Sequence, residues 1–286
     1  MKHFRLLFII AFLMTGTTLP AQYIDILNQE EAADKIVQDK IDGFYEKIQP
    51  LEVSIQLKDT TLDELSRSAA VRELQEAMPD EVTTPNANQK DILKESMQKA
   101  LSMSAPLTEK YPLPDTIYLG ILKGELYGPS VFFTRENGIF IPTTMVNKSF
   151  QSQLTNVLIH EIFHIQSRFY PQLQTRLYKE IGFYDLGSVP RLGEKLKSRI
   201  LVNPDGTDWN YYIPLSMNGD TVMAYPVIHS NAPEFSSDQP NFFQYLQFQL
   251  FPLEKSNEEY RVVYENDLKG LDSKWMKAFF DKIEDN

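Results

Sequence analysis

His160 and His164 stand four residues apart, with Glu161 directly after the first, in the stretch His160-Glu161-Ile162-Phe163-His164. On a helix this spacing turns the two side chains by only about 40° around the axis, so both imidazoles reach one ion from the same face. Glu161 falls on the flank of His164, close to a water on that ion. The types and their spacing point to a zinc ion held by two ring nitrogens, with a carboxylate beside it as general base. An ionised, buried carboxylate next to two imidazoles is costly without a cation or a partner, and a zinc site removes that cost. The plainer alternative is a pair of satisfied core histidines with Glu161 bonded to one of them.

A catalytic zinc takes three protein ligands and keeps a fourth position open. If the chain reverses at Tyr170-Pro171, the returning helix carries Leu173, Leu177 and Ile181 on its inward stripe. Glu180 shares that stripe and is the expected third ligand, although an i, i+4 ion pair with Arg176 fits the same geometry. His229, Glu234, Asp238 and Glu254 are further candidates. Tyr212 and His229 are the expected donors to a developing oxyanion, with Tyr211 and Tyr225 as alternatives, and each tyrosine also fits a packing role. Asn203-Pro204-Asp205-Gly206 reads as a turn, with calcium binding through Asp205 and Asp208 as the other reading. Phe242, Phe243, Tyr245, Phe248 and Phe251 read as core.

Several elements must position these residues. Apolar spacing predicts one long helix within Ile24 to Ile48, stopped by Pro50, a second from Thr61 to Met78 and a third from Gln89 to Met103, with a loop at 79–88. After Tyr111-Pro112-Leu113-Pro114 the pattern becomes extended. Residues 116–121, 130–134 and 139–141, with a turn at Asn137-Gly138, predict a small antiparallel sheet. A helix over Gln151 to Phe169 carries the two histidines and is apolar over most of its circumference, as in a centrally buried helix. Helix continues over Gln172 to Ile181. Frequent prolines then predict short loop and strand pieces, and a last helix spans Ser273 to Ile283.

A chain of 286 residues that is 42% hydrophobic has enough apolar material for a substantial core. Its net charge of -11 and its lack of a cluster of Lys and Arg argue against nucleic-acid partners. Lys2 and Arg5, an apolar run from Leu6 to Met14 and small residues up to Ala21 read as a signal peptide cut after Ala21, with an uncleaved N-terminal anchor as the alternative. That predicts an exported, periplasmic or secreted protein with no transmembrane span once the signal is removed. The absence of cysteine excludes stapling by disulfides. The expected division is a signal at 1–21, a helical region at 22–110 and a metal-binding catalytic region at 111–286.

His160-Glu161-x-x-His164 resembles the active-site helix of the zincin metallopeptidases. A glutamate on the next helix makes it similar to the gluzincin branch, whereas Tyr170 stands where a metzincin has its third histidine. Ile139-Phe140-Ile141-Pro142 resembles the edge strand that zincins place above the cleft, where a substrate backbone adds on. A narrower resemblance, to bacterial HExxH proteins of no assigned activity, rests on four segments covering roughly the second half of the chain. These are His160 to Arg168, Leu177-Tyr178-x-x-Ile181-Gly182-Phe183, Asn203-Pro204-Asp205 and Phe242-Phe243-x-Tyr245-Leu246. In those proteins a Glu-rich helix follows the segment matching Phe279 to Asn286 and could hold the third ligand. The resemblance implies an α+β, zincin-like fold with a helical N-terminal part, a small antiparallel sheet, a central HExxH helix and a loop-rich C-terminal part. It also implies a Zn2+ cofactor and hydrolysis of a peptide or protein substrate with Glu161 as base. The alternative is a zincin-like binding or structural protein of the cell envelope with impaired catalysis.

Overall fold

In the computed structural model the described residues are 23–284 apart from 42, 206, 207, 258, 265 and 266, so the expected signal segment lies outside them. The described residues open with strand β1 (Tyr23–Ile26), and Asn28, which caps the following helix, ends the extended stretch. Asn28 and Glu31 bond each other's backbone amides, and this reciprocal cap starts α1 at Gln29 (Gln29–Ile36). The long helix expected within residues 24–48 is therefore not formed. It divides into β1, α1 and a single turn, α2 (Phe44–Lys47), entered through Gly43 at φ 61°.

Pro50, expected to stop a helix, instead starts α3 (Pro50–Leu57), since the first helical position needs no amide hydrogen. A turn at Thr60–Glu64 leads to α4 (Arg67–Ala77), capped by Ser66, and then to strand β2 (Val82–Thr83) within the expected loop. Helix α5 (Ala87–Met103) matches expectation, and α6 (Ala105–Lys110) follows with Pro106 in its first turn.

Strands β3 (Thr116–Leu122), β4 (Phe133–Arg135) and β5 (Gly138–Pro142) complete the first sheet, ordered β1-β3-β5-β4 with β2 against the end of β3. The expectation of an antiparallel sheet is corrected here: β1, β3 and β5 run parallel, and only β2 and β4 are antiparallel. Strand β5 is also interior, with all five residues buried, so it is not the edge to which a substrate could add. The edge is β4. Gly120 faces the other side of the sheet, where a Cβ would stand 2.9 Å from the Phe140 ring, so no larger residue fits.

Helix α7 (Gln151–Phe169) carries the histidines and α8 (Pro171–Glu180) follows directly. Leu154, Leu158, Ile162 and Ile165, spaced along one stripe of α7, pack with Ile117, Leu119 and Ile121 of β3, Ile139 and Ile141 of β5, and Ile92, Leu93 and Met97 of α5. Each such burial stabilises the fold by about 1.5–3 kcal/mol. The stripe occupies one side only. His160 and Asn156 are exposed, so α7 is an amphipathic helix laid on the sheet and not one buried all round.

The C-terminal part is richer in sheet than its prolines imply. Strand β6 (Tyr184–Asp185) precedes a short α9 (Glu194–Lys197). Strands β7 (Tyr211–Met217), β8 (Asp220–Ser230), β9 (Leu246–Ser256) and β10 (Glu259–Val262) then give a second antiparallel sheet, ordered β10-β9-β8-β7-β6. Helix α10 (Ser273–Glu284) covers it through Phe279, packed with Ile213, Leu215 and Leu250. Leu201, Val202, Phe242 and Tyr245 share one core with Phe44, Leu74 and Phe140, so residues on both sides of position 110 build it. The architecture is α+β.

Candidate metal centre

Around the axis of α7, taking Leu158 as the centre of the buried stripe, Glu161 lies about 60° to one side, Arg168 about 80°, His164 about 120° and His160 about 160°. This fan explains the burial of each. Glu161 is 2% exposed, the His164 side chain 22% exposed, and His160 opens to solvent. The Nε2 atoms of His160 and His164 face each other 2.9 Å apart, with ring planes at 82°. Two zinc–nitrogen bonds of about 2.0–2.1 Å meeting near 90–110° set the nitrogens about 2.9–3.4 Å apart, so the pair suits a shared ion.

The third group comes from a different part of the chain. Asp205 Oδ2 is 3.8 Å from His164 Nε2, and Glu161, His164 and Asp205 each offer a ligand atom within 4.8 Å of the others. Two imidazoles and a carboxylate form a donor set zinc accepts. Glu161 and Asp205 bring two carboxyls together, a pairing that either a shared proton or a cation relieves. Burial pushes the Glu161 carboxyl up to about 9, helped by the facing charge of Asp205 and their shared hydrogen bond, while Arg168 opposes the shift. Glu161 Oε2 is buried with no hydrogen-bond partner. An unsatisfied acid beside two facing imidazoles fits a divalent ion.

Asp205 is held from several sides. Its Oδ1 accepts from the Thr134 amide at 2.8 Å and the Thr134 hydroxyl at 3.3 Å. Asn203 Oδ1 accepts from the Asp205 amide at 3.1 Å, the turn its sequence implies. Arg135, only 2% exposed and stacked 3.9 Å over the Phe44 ring, donates to the Pro204 carbonyl and, at 2.9 Å, to the Thr134 carbonyl. The fully buried Glu52 accepts from the Val202 amide at 2.8 Å and from the Gln56 amide at 3.1 Å. The outer edge of β4 is thus taken up at Thr134 by Asp205 and Arg135, which closes it to an added strand there.

Comparison with known families, with curated proteins and with solved structures returns no match. The chemistry rests on this geometry alone.

A cleft of about 380 Å³ opens beside His164, lined among others by Phe163, Arg168, Gln174, Tyr178, Asn203 and Asp205. A larger hollow of about 630 Å³, between Gly124–Pro129 and Pro240–Gln244, includes neither histidine nor Asp205 in its walls.

The other expected site residues lie elsewhere. Glu180 is exposed at the end of α8 and outside the cluster, because Tyr178, two residues earlier, faces the cleft and two residues turn a helix by about 200°. Tyr212 packs beside Tyr184 on β6 and with the core around Tyr225 and Phe251, while its neighbour Tyr211 bonds Thr175 and touches Tyr178, the alternation of a strand having put Tyr212 on the wrong face. His229 is 2% exposed within β8, with Nδ1 2.9 Å from the Ser230 carbonyl and Nε2 3.4 Å from Gln249, a satisfied core histidine. Glu254 pairs with Arg261 at 2.6 Å. Sequence reasoning read the turn at Asn203-Pro204-Asp205 but not its place beside His164. No local pattern signals a contact across that distance in the chain.

Proposed function

We propose that the protein is a zinc-dependent hydrolase of peptide bonds, with His160, His164 and Asp205 as metal ligands and Glu161 as general base. The facing Nε2 atoms of His160 and His164, with Asp205 beside His164, support this reading. When bound, zinc supplies a Lewis acid that polarises a carbonyl and lowers the pKa of water. The chain's own groups do the rest. With its negative charge offset by a cation at the site, which would reverse the upward shift, Glu161 would take a proton from the attacking water and hand it to the leaving amine. Asp205 is held in place through the Thr134 amide. Tyr178 and Gln174 line the cleft and supply donors to the substrate backbone. Because β4 is closed at Thr134, the substrate is gripped by cleft side chains and not by strand addition. The apolar run before Ala21 fits export to the periplasm or beyond, where peptides and envelope proteins are available.

The test combines metal analysis with hydrolysis of a fluorogenic peptide library. Wild type is expected to hold one zinc, His160→Ala to lose it, and Glu161→Gln to keep it while hydrolysis falls by roughly 10²–10⁴-fold. Zinc retention with no Glu161-dependent cleavage of any peptide would turn the reading to a metal-stabilised binding protein.

A further inference from the structure

Arg168 stands four residues after His164 on the same face of α7. Its guanidinium reaches three separate acceptors: Nη1 donates to the Glu136 carbonyl at 2.7 Å, and Nη2 donates to the Thr134 hydroxyl at 2.8 Å and to the Asp205 carbonyl at 3.1 Å. One side chain thereby joins the histidine helix, the β4–β5 hairpin and the turn that carries Asp205.

The direction of these bonds is fixed by chemistry. Arginine has donors only, so the Thr134 oxygen must accept from Arg168, which leaves the single Thr134 hydroxyl hydrogen for Asp205 Oδ1 at 3.3 Å. With Oδ1 engaged by both the hydroxyl and the amide of Thr134, Oδ2 is the oxygen directed at His164. We propose that Arg168 is a positioning residue of the metal centre, acting through Thr134 and the Asp205 backbone to set the Asp205 carboxylate against His164. This rests on the reading of Asp205 as a ligand. Lysine could not substitute, since a single ammonium lacks the planar fork that spans acceptors on separate segments.

The experiment is chelator competition for zinc by full-length wild type, Arg168→Met, Thr134→Val, Asp205→Ala and the Arg168→Met/Asp205→Ala pair, with apoprotein melting followed in parallel. Arg168→Met is expected to raise the zinc Kd by roughly 10–100-fold, the range for groups that orient a ligand. Thr134→Val, which removes only the hydroxyl, should act in the same direction. In the Asp205→Ala background the loss of Arg168 should change the Kd by less than about twofold, because the residue it positions is gone. Wild-type affinity in Thr134→Val together with either wild-type affinity or failure to fold in Arg168→Met overturns the proposal. So does an Arg168→Met effect of the same size with and without Asp205. A wild-type protein that takes up no zinc removes the metal-centre reading itself and this inference with it, an outcome distinct from the other two.

Discussion

Glu52 should make the fold less stable as pH rises through the neutral range. Its carboxyl lies fully buried in α3, and burial raises its pKa from 4.5 to about 8, against the opposing pull of the Val202 and Gln56 hydrogen bonds and the nearby Arg135 charge. An acid whose pKa is raised in the folded state keeps its proton there while the unfolded chain releases it. Stability is then fully present below pH 4.5 and is lost progressively until about pH 8. A shift of that size corresponds to about 4–5 kcal/mol between the two ends. Glu52→Gln removes the titration. The introduced amide retains an oxygen for the Val202 amide, and its nitrogen can reach Gln56 Oε1, which is buried without a partner, once the Gln56 amide flips. Urea unfolding of wild type and Glu52→Gln at pH 5 and pH 9 gives the difference directly. Other buried acids, Glu161 included, titrate in both proteins and cancel. The two should agree within about 1 kcal/mol at pH 5, with the variant more stable by several kcal/mol at pH 9. Parallel stability curves across this range would refute the reasoning.

Other consequences can be measured on the same protein. Asp205→Ala should weaken zinc binding by at least roughly tenfold, whereas Glu180→Ala should leave the zinc Kd unchanged, since Asp205 stands beside His164 and Glu180 does not. Tyr212→Phe and His229→Gln should leave zinc affinity as it is, and a clear loss in either would show that the second sheet reaches the site. Leu158→Ala, at the centre of the buried α7 stripe, should cost about 2–5 kcal/mol in chemical denaturation, and a cost below about 1 kcal/mol would contradict the packing of α7 on the first sheet.

The sequence made legible what local periodicity and end signals encode. The span of α7, the C-terminal end of α5 at Met103 and the start of α10 at Ser273 follow their apolar spacing, and β3 and β5 follow their runs of Ile and Phe. The convergence of His160 and His164 is likewise a property of one helix. Misreadings came where a residue has two uses. Pro50 reads as the end of one helix when it begins another, and Asn28 with Glu31 carries a capping signature within a stretch whose apolar spacing alone suggests a single helix. Pro226 lies inside β8, paired with Leu250, so prolines did not break the second sheet. Asp205, the third ligand proposed above, was out of reach for a different reason. Asp205 meets His164 only because Glu52, Arg135, Thr134 and Arg168, drawn from separate parts of the chain, hold its turn, and such long-range bonds leave no periodic trace. Glu180 satisfied the helical stripe on paper, but the roll of α8 turns Tyr178 to the cleft and Glu180 to solvent.

Zinc-edge X-ray absorption on the wild-type protein loaded with one equivalent of zinc addresses the metal centre most directly. Two imidazole nitrogens at about 2.0–2.1 Å and a carboxylate oxygen at about 2.0–2.2 Å, with the oxygen lost in Asp205→Ala, are expected. A spectrum with fewer than two imidazoles, or one that Asp205→Ala leaves unchanged, would contradict the assignment.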